Sequence, residues 1–250
     1  MRLGSVQDVQ ITGNNMHDFY GTSQNVTHSD MIQFWGANAS QITRDVEISD
    51  NILNTSGGAG SQGIFIRNEL FGKEGSTGGH FENFEITGNV IFNSHTHGIY
   101  VADVDGLKVS ENTVLWNRDA EMVTRNFDVV SRPPSIVIRN DGEVEISNNI
   151  TERIVGTTDG VTTESGNVFV EYQDQDSPNY VAKHFVNAED GGVVDLRDLR
   201  LLEDSAWNGK AGSPLTQAIG TAEEGVDAVL TRTVSDQDGY QMKFDASLSL

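Results

Sequence analysis

One six-residue pattern recurs along this chain, and it limits the possible folds more than any other feature. Val9-Gln-Ile-Thr-Gly-Asn14, Val46-Glu-Ile-Ser-Asp-Asn51, Phe84-Glu-Ile-Thr-Gly-Asn89, Leu107-Lys-Val-Ser-Glu-Asn112 and Val144-Glu-Ile-Ser-Asn-Asn149 share one order: apolar, polar, Ile or Val, Ser or Thr, any residue, Asn. Thr162-Thr-Glu-Ser-Gly-Asn167 is a weaker sixth copy. The starts of the first five lie 37, 38, 23 and 37 residues apart. That spacing is too uneven for a fixed helical array and suits coils whose loops differ in length.

A second strand type lies between the copies. Met31-Ile-Gln-Phe-Trp35, Gly63-Ile-Phe-Ile-Arg67, Gly98-Ile-Tyr-Val-Ala102 and Ser135-Ile-Val-Ile-Arg139 alternate apolar residues at period two, the signature of a strand with one buried face. Helix signals are scarce, because Gly and Asn are scattered through the region and β-branched residues dominate its apolar positions. Each coil therefore carries at least two short strands. Coils stacked about 4.8 Å apart would pair each strand with its copies above and below and pile the apolar side chains into an internal column. The expected fold class is all-β, a parallel β-helix solenoid.

The turn pattern followed by Gly-Ile-x-Val resembles the repeat of right-handed parallel β-helix proteins, the pectate-lyase-like superfamily of carbohydrate-active enzymes and phage tailspikes. The resemblance spans roughly residues 9 to 215. It implies that Asn14, Asn51, Asn89, Asn112 and Asn149 stack as a ladder at one turn, each amide serving otherwise unpaired turn backbone. Asp198-Leu-Arg-Leu-Leu202 through Gly212-Ser-Pro-Leu215 resembles the closing segment of such helices. The family also implies a secreted or cell-surface protein. For activity the resemblance is less specific, since this architecture hosts lyases, hydrolases, epimerases and adhesins.

Two regions follow: a solenoid with closing strands over 1–215 and an acidic extension over 216–250. The extension contains Ser235-Asp-Gln-Asp-Gly239, which suggests Ca2+ but offers only two neighbouring carboxylates, so a solvated acidic turn is the expected reading. At the other end a coil begins within ten residues of Met1 with no capping helix ahead of it. An uncapped solenoid exposes its column and strand edges, which predicts a further segment, domain or subunit over that end.

Charge narrows the partners. With 16 Lys and Arg against 37 Asp and Glu, the formal charge of −21 disfavours nucleic acid, and no apolar run is long enough to span a membrane. The absence of cysteine excludes thiolate metal sites and thiol nucleophiles. No phosphate-binding loop or dinucleotide fingerprint is present. An anionic polymer would then need local cations.

The strand register supplies them. If Ile32, Ile64, Ile99 and Ile136 point inward with Phe34, Ile66, Val101 and Ile138, the outward rows are Gln33, Phe65, Tyr100, Val137 and Trp35, Arg67, Ala102, Arg139. Aromatic rings beside arginines suit stacking on sugars and pairing with uronate or sulfate. The alternative is that the loops 68–83 and 117–133 fold over this sheet and bury its aromatics as ordinary packing. His28, His95 and His97 precede strands of this sheet, with Asp30 and Asp103 nearby. His28-Ser-Asp30-Met-Ile-Gln33 resembles a His-x-Asp-x-Ile-Gln signature of β-helix carbohydrate enzymes, with Met31 in place of the usual Gly. For a polysaccharide lyase or epimerase the expected assignments are His97 or His28 as base, Tyr100 as acid and Arg67 as carboxylate neutraliser. Asp30 would orient an imidazole or hold a cation, and Gln33, Trp35, Phe65, His95 and Arg139 would bind substrate. A tailspike-type hydrolase would instead use two of Asp30, Asp103 and Asp105, and a non-catalytic adhesin neither. A turn histidine that only hydrogen-bonds its neighbours is the plainer alternative throughout.

Overall fold

The computed structural model describes residues 1–17, 30–36, 41–55, 61–68, 80–123, 129–140, 142–158, 160, 162–186, 199–221, 228–235 and 241–248. Eighteen strands in this chain form three parallel sheets of six, one strand per sheet in each of six coils. Sheet A contains Arg2–Leu3, Asp30–Trp35, Gln62–Arg67, His97–Ala102, Ser135–Asn140 and Ile154–Thr158. Sheet B contains Gln7–Thr12, Thr43–Ser49, Phe81–Thr87, Val104–Ser110, Val144–Ser147 and Thr162–Ser165, the six repeat copies. Sheet C follows each copy with the short strands Asn15–Met16, Ile52–Asn54, Val90–Asn93, Thr113–Trp116, Ile150–Thr151 and Val168–Phe169. The chain is a parallel β-helix.

The column forms because every coil repeats its inward residues in register. Ile32 pairs with Ile64, Ile64 with Ile99 and Ile99 with Ile136, and each is fully buried. On sheet B, Val46, Phe84, Leu107 and Val144 stack in one row and Ile48, Ile86, Val109 and Ile146 in the next. Gly63 and Gly98 stand where a side chain has no room. A methyl at Gly98 would lie 2.3 Å from Val114 Cγ1, and one at Gly63 would lie 2.5 Å from the Gly98 carbonyl oxygen.

The asparagine ladder is complete and takes in the weak sixth copy. Asn89 donates its backbone N–H and its Nδ2 to Asn112 Oδ1 at 3.0 and 2.9 Å, and Asn112 repeats both bonds to Asn149. Asn51 does the same to Asn89, and Asn149 to Asn167. The second amide proton serves the coil on the other side: Asn89 Nδ2 reaches the Ile48 carbonyl at 2.8 Å and Asn112 Nδ2 the Ile86 carbonyl at 2.8 Å. Buried turn backbone is thereby satisfied coil by coil. The residue before each Asn is left-handed in all six copies: Gly13, Asp50, Gly88, Glu111, Asn148 and Gly166 have φ between 53° and 70°. Three of the six are glycine, the residue for which that conformation carries no steric penalty.

The last coil ends the column by changing its inward residues. Thr162 and Glu164 replace Val144 and Ile146, and Gly156 replaces Ile138. Glu164 and Gly156 are exposed, so the column stops on polar groups. In the first coil Leu3, Val6, Val9 and Met16 pack against the core yet remain partly exposed.

The segment expected to close the end takes another course. Val170, Tyr172, Tyr180, Phe185, Leu199, Leu201 and Trp207 cover the outer face of sheet C, against Phe92, Leu115 and Ile150. His184 stacks on Trp207 at 3.4 Å and holds Ser205 Oγ and the Pro178 carbonyl with its two nitrogens. Gly212 then donates to the Asn148 carbonyl, Ser213 N donates to Thr113 Oγ1, and Ser213 Oγ donates to the Gly88 carbonyl, so this stretch climbs back along the ladder toward the first coil. The reason is the outer face of sheet C, which is apolar in every middle coil and requires cover. A helix, Pro214–Thr221, follows and runs into the extension expected to lack the repeat, and Leu215 N donates to Ser213 Oγ as its cap. Ala228–Ser235 and Gln241–Leu248 pair as an antiparallel hairpin. The candidate Ca2+ residues 236–239 between them lie outside the described residues. The loop 117–133 contains a short antiparallel pair, Met122–Val123 with Val129–Val130.

Candidate functional site

Sheet A brings most of the expected residues onto one face. Gln33 pairs with Phe65, Phe65 with Tyr100 and Tyr100 with Val137; two positions along, Trp35 pairs with Arg67, Arg67 with Ala102 and Ala102 with Arg139. Residues thirty or more positions apart become neighbours through the parallel ladder. Arg67 and Arg139 are exposed and flank the small Ala102, two strands apart, which is about 10 Å. Trp35, Gln33 and Tyr100 are half-buried. Phe65 and Val137 point outward by alternation yet are buried, at 7% and 6% exposure, so the aromatic stripe is less open than its pattern implies. Phe65 lies stacked against Tyr100, centroids 4.9 Å apart at 15°, and supports that ring.

The histidines converge at the start of the same sheet. His97 opens its strand, its ring 4.9 Å from Tyr100 and 5.2 Å from His95. The ladder shifts between His97 and Ile99, a bulge that re-aims the His97 side chain. Two hydrogen bonds define the tautomers. His97 Nδ1 lies 2.6 Å from Gln62 Oε1, and an amide oxygen only accepts, so Nδ1 carries the proton and Nε2 the lone pair. His95 Nδ1 accepts the His97 backbone N–H at 3.1 Å, which leaves the His95 proton on Nε2. The lone pair of His97 is then on Nε2 and the N–H of His95 on Nε2. These assignments follow from the orientation of the Gln62 amide.

Asp30 lies on the neighbouring strand, paired with Gln62 and only 8% exposed. Burial pushes its carboxyl up to about 6, an effect partly offset by the chain's amino group and the Gln62 amide. Its two oxygens meet no donor at hydrogen-bonding geometry. Asn93, which donates to the Ser61 and His97 carbonyls, completes this polar corner. Gln62 and Asn93 were absent from the expected set. Gln62 precedes the Gly-Ile-Phe-Ile strand as His97 precedes Gly-Ile-Tyr-Val, and that shared offset is the signal that could have found it.

Several placements depart from the expected site. Arg67 aligns with Ala102, five residues beyond His97, roughly 16 Å along the strand at 3.3 Å per residue. It therefore sits nearer Tyr100 than His97. Asp105 lies on the next strand, Val104–Ser110 of sheet B, while Asp103 follows the far end of the sheet A strand, roughly 20 Å along it from the Asp30 end. That exceeds the separation at which two carboxylates share one glycosidic bond. His28 lies outside the described residues.

Charge separates the faces. The outward positions of sheet A named above carry two arginines and no carboxylate. Sheet B bears a groove of about 720 Å³ lined by Asp8, Asp45, Glu47, Glu85, Glu143 and Glu145 with Lys108 as its one cation. That groove repels an anionic polymer and contains no imidazole or phenol of the kind assembled on sheet A. Among the described residues no group of three or more His, Cys, Asp or Glu could hold a metal ion, and no helix is long and apolar enough to cross a membrane. Compared with protein-family models, curated proteins and solved structures, the chain matches none.

Proposed function

We propose that sheet A binds an acidic polysaccharide along its strands and that the chain is a polysaccharide lyase or epimerase, of extracellular or cell-surface location. The observation that carries this reading is the shared face: an imidazole with its lone pair on Nε2, a tyrosine 4.9 Å away and two exposed arginines, within a chain otherwise strongly acidic. His97 Nε2 takes the proton at C5 of a uronate. In elimination the electron pair forms the C4–C5 double bond, the C4–O bond breaks, and the Tyr100 hydroxyl protonates the departing oxygen. In epimerisation the carbanion is reprotonated from the opposite face. His95, its ring 5.2 Å from that of His97, supplies an N–H for the developing charge on the uronate carboxylate. Arg67 and Arg139, farther along, hold carboxylates of neighbouring sugars, and Trp35 supplies a stacking surface.

Incubation with uronate polymers, read by the ultraviolet absorbance of an unsaturated product and by the sugar configuration of the polymer, tests the proposal. His97→Ala and Tyr100→Phe are expected to abolish turnover while Arg67→Ala weakens binding. Glycan binding that survives all three with no turnover selects a non-catalytic adhesin.

A further inference from the structure

Arg67 and Arg139 stand at the far end of their strands, away from His97. Removing the C5 proton drives electron density onto the uronate carboxylate, and charge that grows during a reaction is best met by a donor already in place beside it. The segment Ser131-Arg132-Pro133-Pro134-Ser135, which leads into the next coil, supplies such a cation at the His97 end of sheet A.

Two backbone bonds locate it. Ser135 pairs with His97, and its N–H reaches the Thr96 carbonyl, one residue before that partner, at 2.9 Å. The Arg132 N–H reaches the Ser94 carbonyl at 3.1 Å. By the same offset Arg132 lies beside His95, one coil away, which is about 4.8 Å between backbones. The edge where His95 and His97 converge is therefore within reach of its guanidinium.

The segment is stiff as well as close. Trp116 Nε1 donates to Ser131 Oγ at 2.9 Å on one side of Arg132. On the other, Pro133 and Pro134 fix their own φ and hold the residue before each of them extended. Arg132 is thus pinned along its backbone while its side chain is exposed. Arg153, one coil farther on, is engaged differently: its Nε donates to Ser135 Oγ at 2.9 Å and stands 3.4 Å from the Glu152 carboxylate. Arg132 has no such side-chain partner among the described residues.

Resting on the reading of His97 as base, we propose that Arg132 is a catalytic residue: its guanidinium pairs with the carboxylate of the uronate whose C5 proton goes to His97 Nε2, beside the N–H of His95. No bond to Arg132 forms or breaks. It balances the negative charge while the C5–H electron pair spreads into the carboxylate. That pair then forms the C4–C5 double bond as the C4–O bond breaks, or returns to C5 when a proton arrives from the opposite face. The fork of a guanidinium matches both carboxylate oxygens, which a lysine does not.

Two measurements on the full chain test this assignment: turnover of uronate polymers, and calorimetric binding of galacturonate, mannuronate and guluronate trimers beside their carboxyl-reduced, neutral forms. Arg132→Ala is expected to lower kcat by about 10²- to 10³-fold, with Arg132→Lys between it and wild type. In binding, Arg132→Ala is expected to lose most of the preference for an acidic trimer over its neutral form. Turnover at the wild-type kcat in Arg132→Ala overturns the assignment of Arg132 and leaves the proposed function standing. A wild type that turns over no uronate polymer, yet loses its preference for an acidic trimer in Arg132→Ala, refutes the proposed reaction and upholds Arg132 as the residue that holds the carboxylate. A wild type that prefers no acidic trimer, or a preference that Arg132→Ala leaves intact, overturns the assignment.

Discussion

Asp30→Asn should make the protein more stable at neutral and alkaline pH. Asp30 is 8% exposed, and burial raises its carboxyl from 3.8 to about 6. A group whose folded-state value is raised binds its proton more tightly when folded. The stability it contributes is therefore complete below about pH 3.8, declines as pH rises through 6, and is constant above about pH 7. A gap of this size corresponds to about 2–3 kcal/mol lost to the ionised form at pH 8. Asparagine keeps the shape and removes the charge, so the variant should gain that amount at pH 8 and almost nothing near pH 4. In a chain of 250 residues the gain equals a rise in Tm of roughly 5–10 °C. Paired urea titrations of both proteins from pH 4 to pH 8 measure it. A stability difference that stays flat across that range, or a variant less stable than wild type at pH 8, would refute the assignment of a buried, uncompensated carboxylate.

Other perturbations test other levels of the structure. Asn89→Ala leaves the Ile48 carbonyl and the Asn51 amide without partners inside the stack and should cost about 2–4 kcal/mol in urea unfolding, far more than removal of an exposed Asn such as Asn15. Gly98→Ala forces a methyl into Val114 and should lower stability by about 1–3 kcal/mol, visible as a lower Tm. Arg67→Ala and Arg139→Ala should each weaken binding of an anionic polymer by roughly 3- to 5-fold at low salt, less at high salt, with unfolding unchanged. Glu164→Ile would continue the apolar column to its open end and should produce concentration-dependent association in light scattering.

Much of this architecture is legible in the sequence because a solenoid repeats its physics. Each Φ-x-Ile-[Ser/Thr]-x-Asn copy had to place its apolar residues inward and its Asn at a turn, and the ladder bonds from Asn14 to Asn167 run as the spacing predicted. The inward rows headed by Ile32 and Phe34 followed from alternation alone. The path of residues 170–186 and 199–213 was not legible in this way. A Leu-rich stretch before Gly-Ser-Pro suits the end of a column or its side equally well, and the outer face of sheet C decided between them by presenting Phe92, Leu115 and Ile150 for burial. The helix at Pro214 was signalled by Ser-Pro, a cap followed by the favoured first residue, but the signal is short beside the polar residues that follow it.

The site divides along the same line. Sequence alone determined which residues share the outer face of sheet A, because period two and parallel register leave no other choice for Gln33, Phe65, Tyr100 and for Trp35, Arg67, Arg139. Only the folded chain decided that Phe65 lies buried and stacked on Tyr100, that Arg67 stands far along the strand from His97, and that Gln62 bonds the His97 ring. Alternation assigns a side chain to a face. Distances along that face, burial and tautomer depend on coils that meet in space although thirty or more residues separate them in the chain.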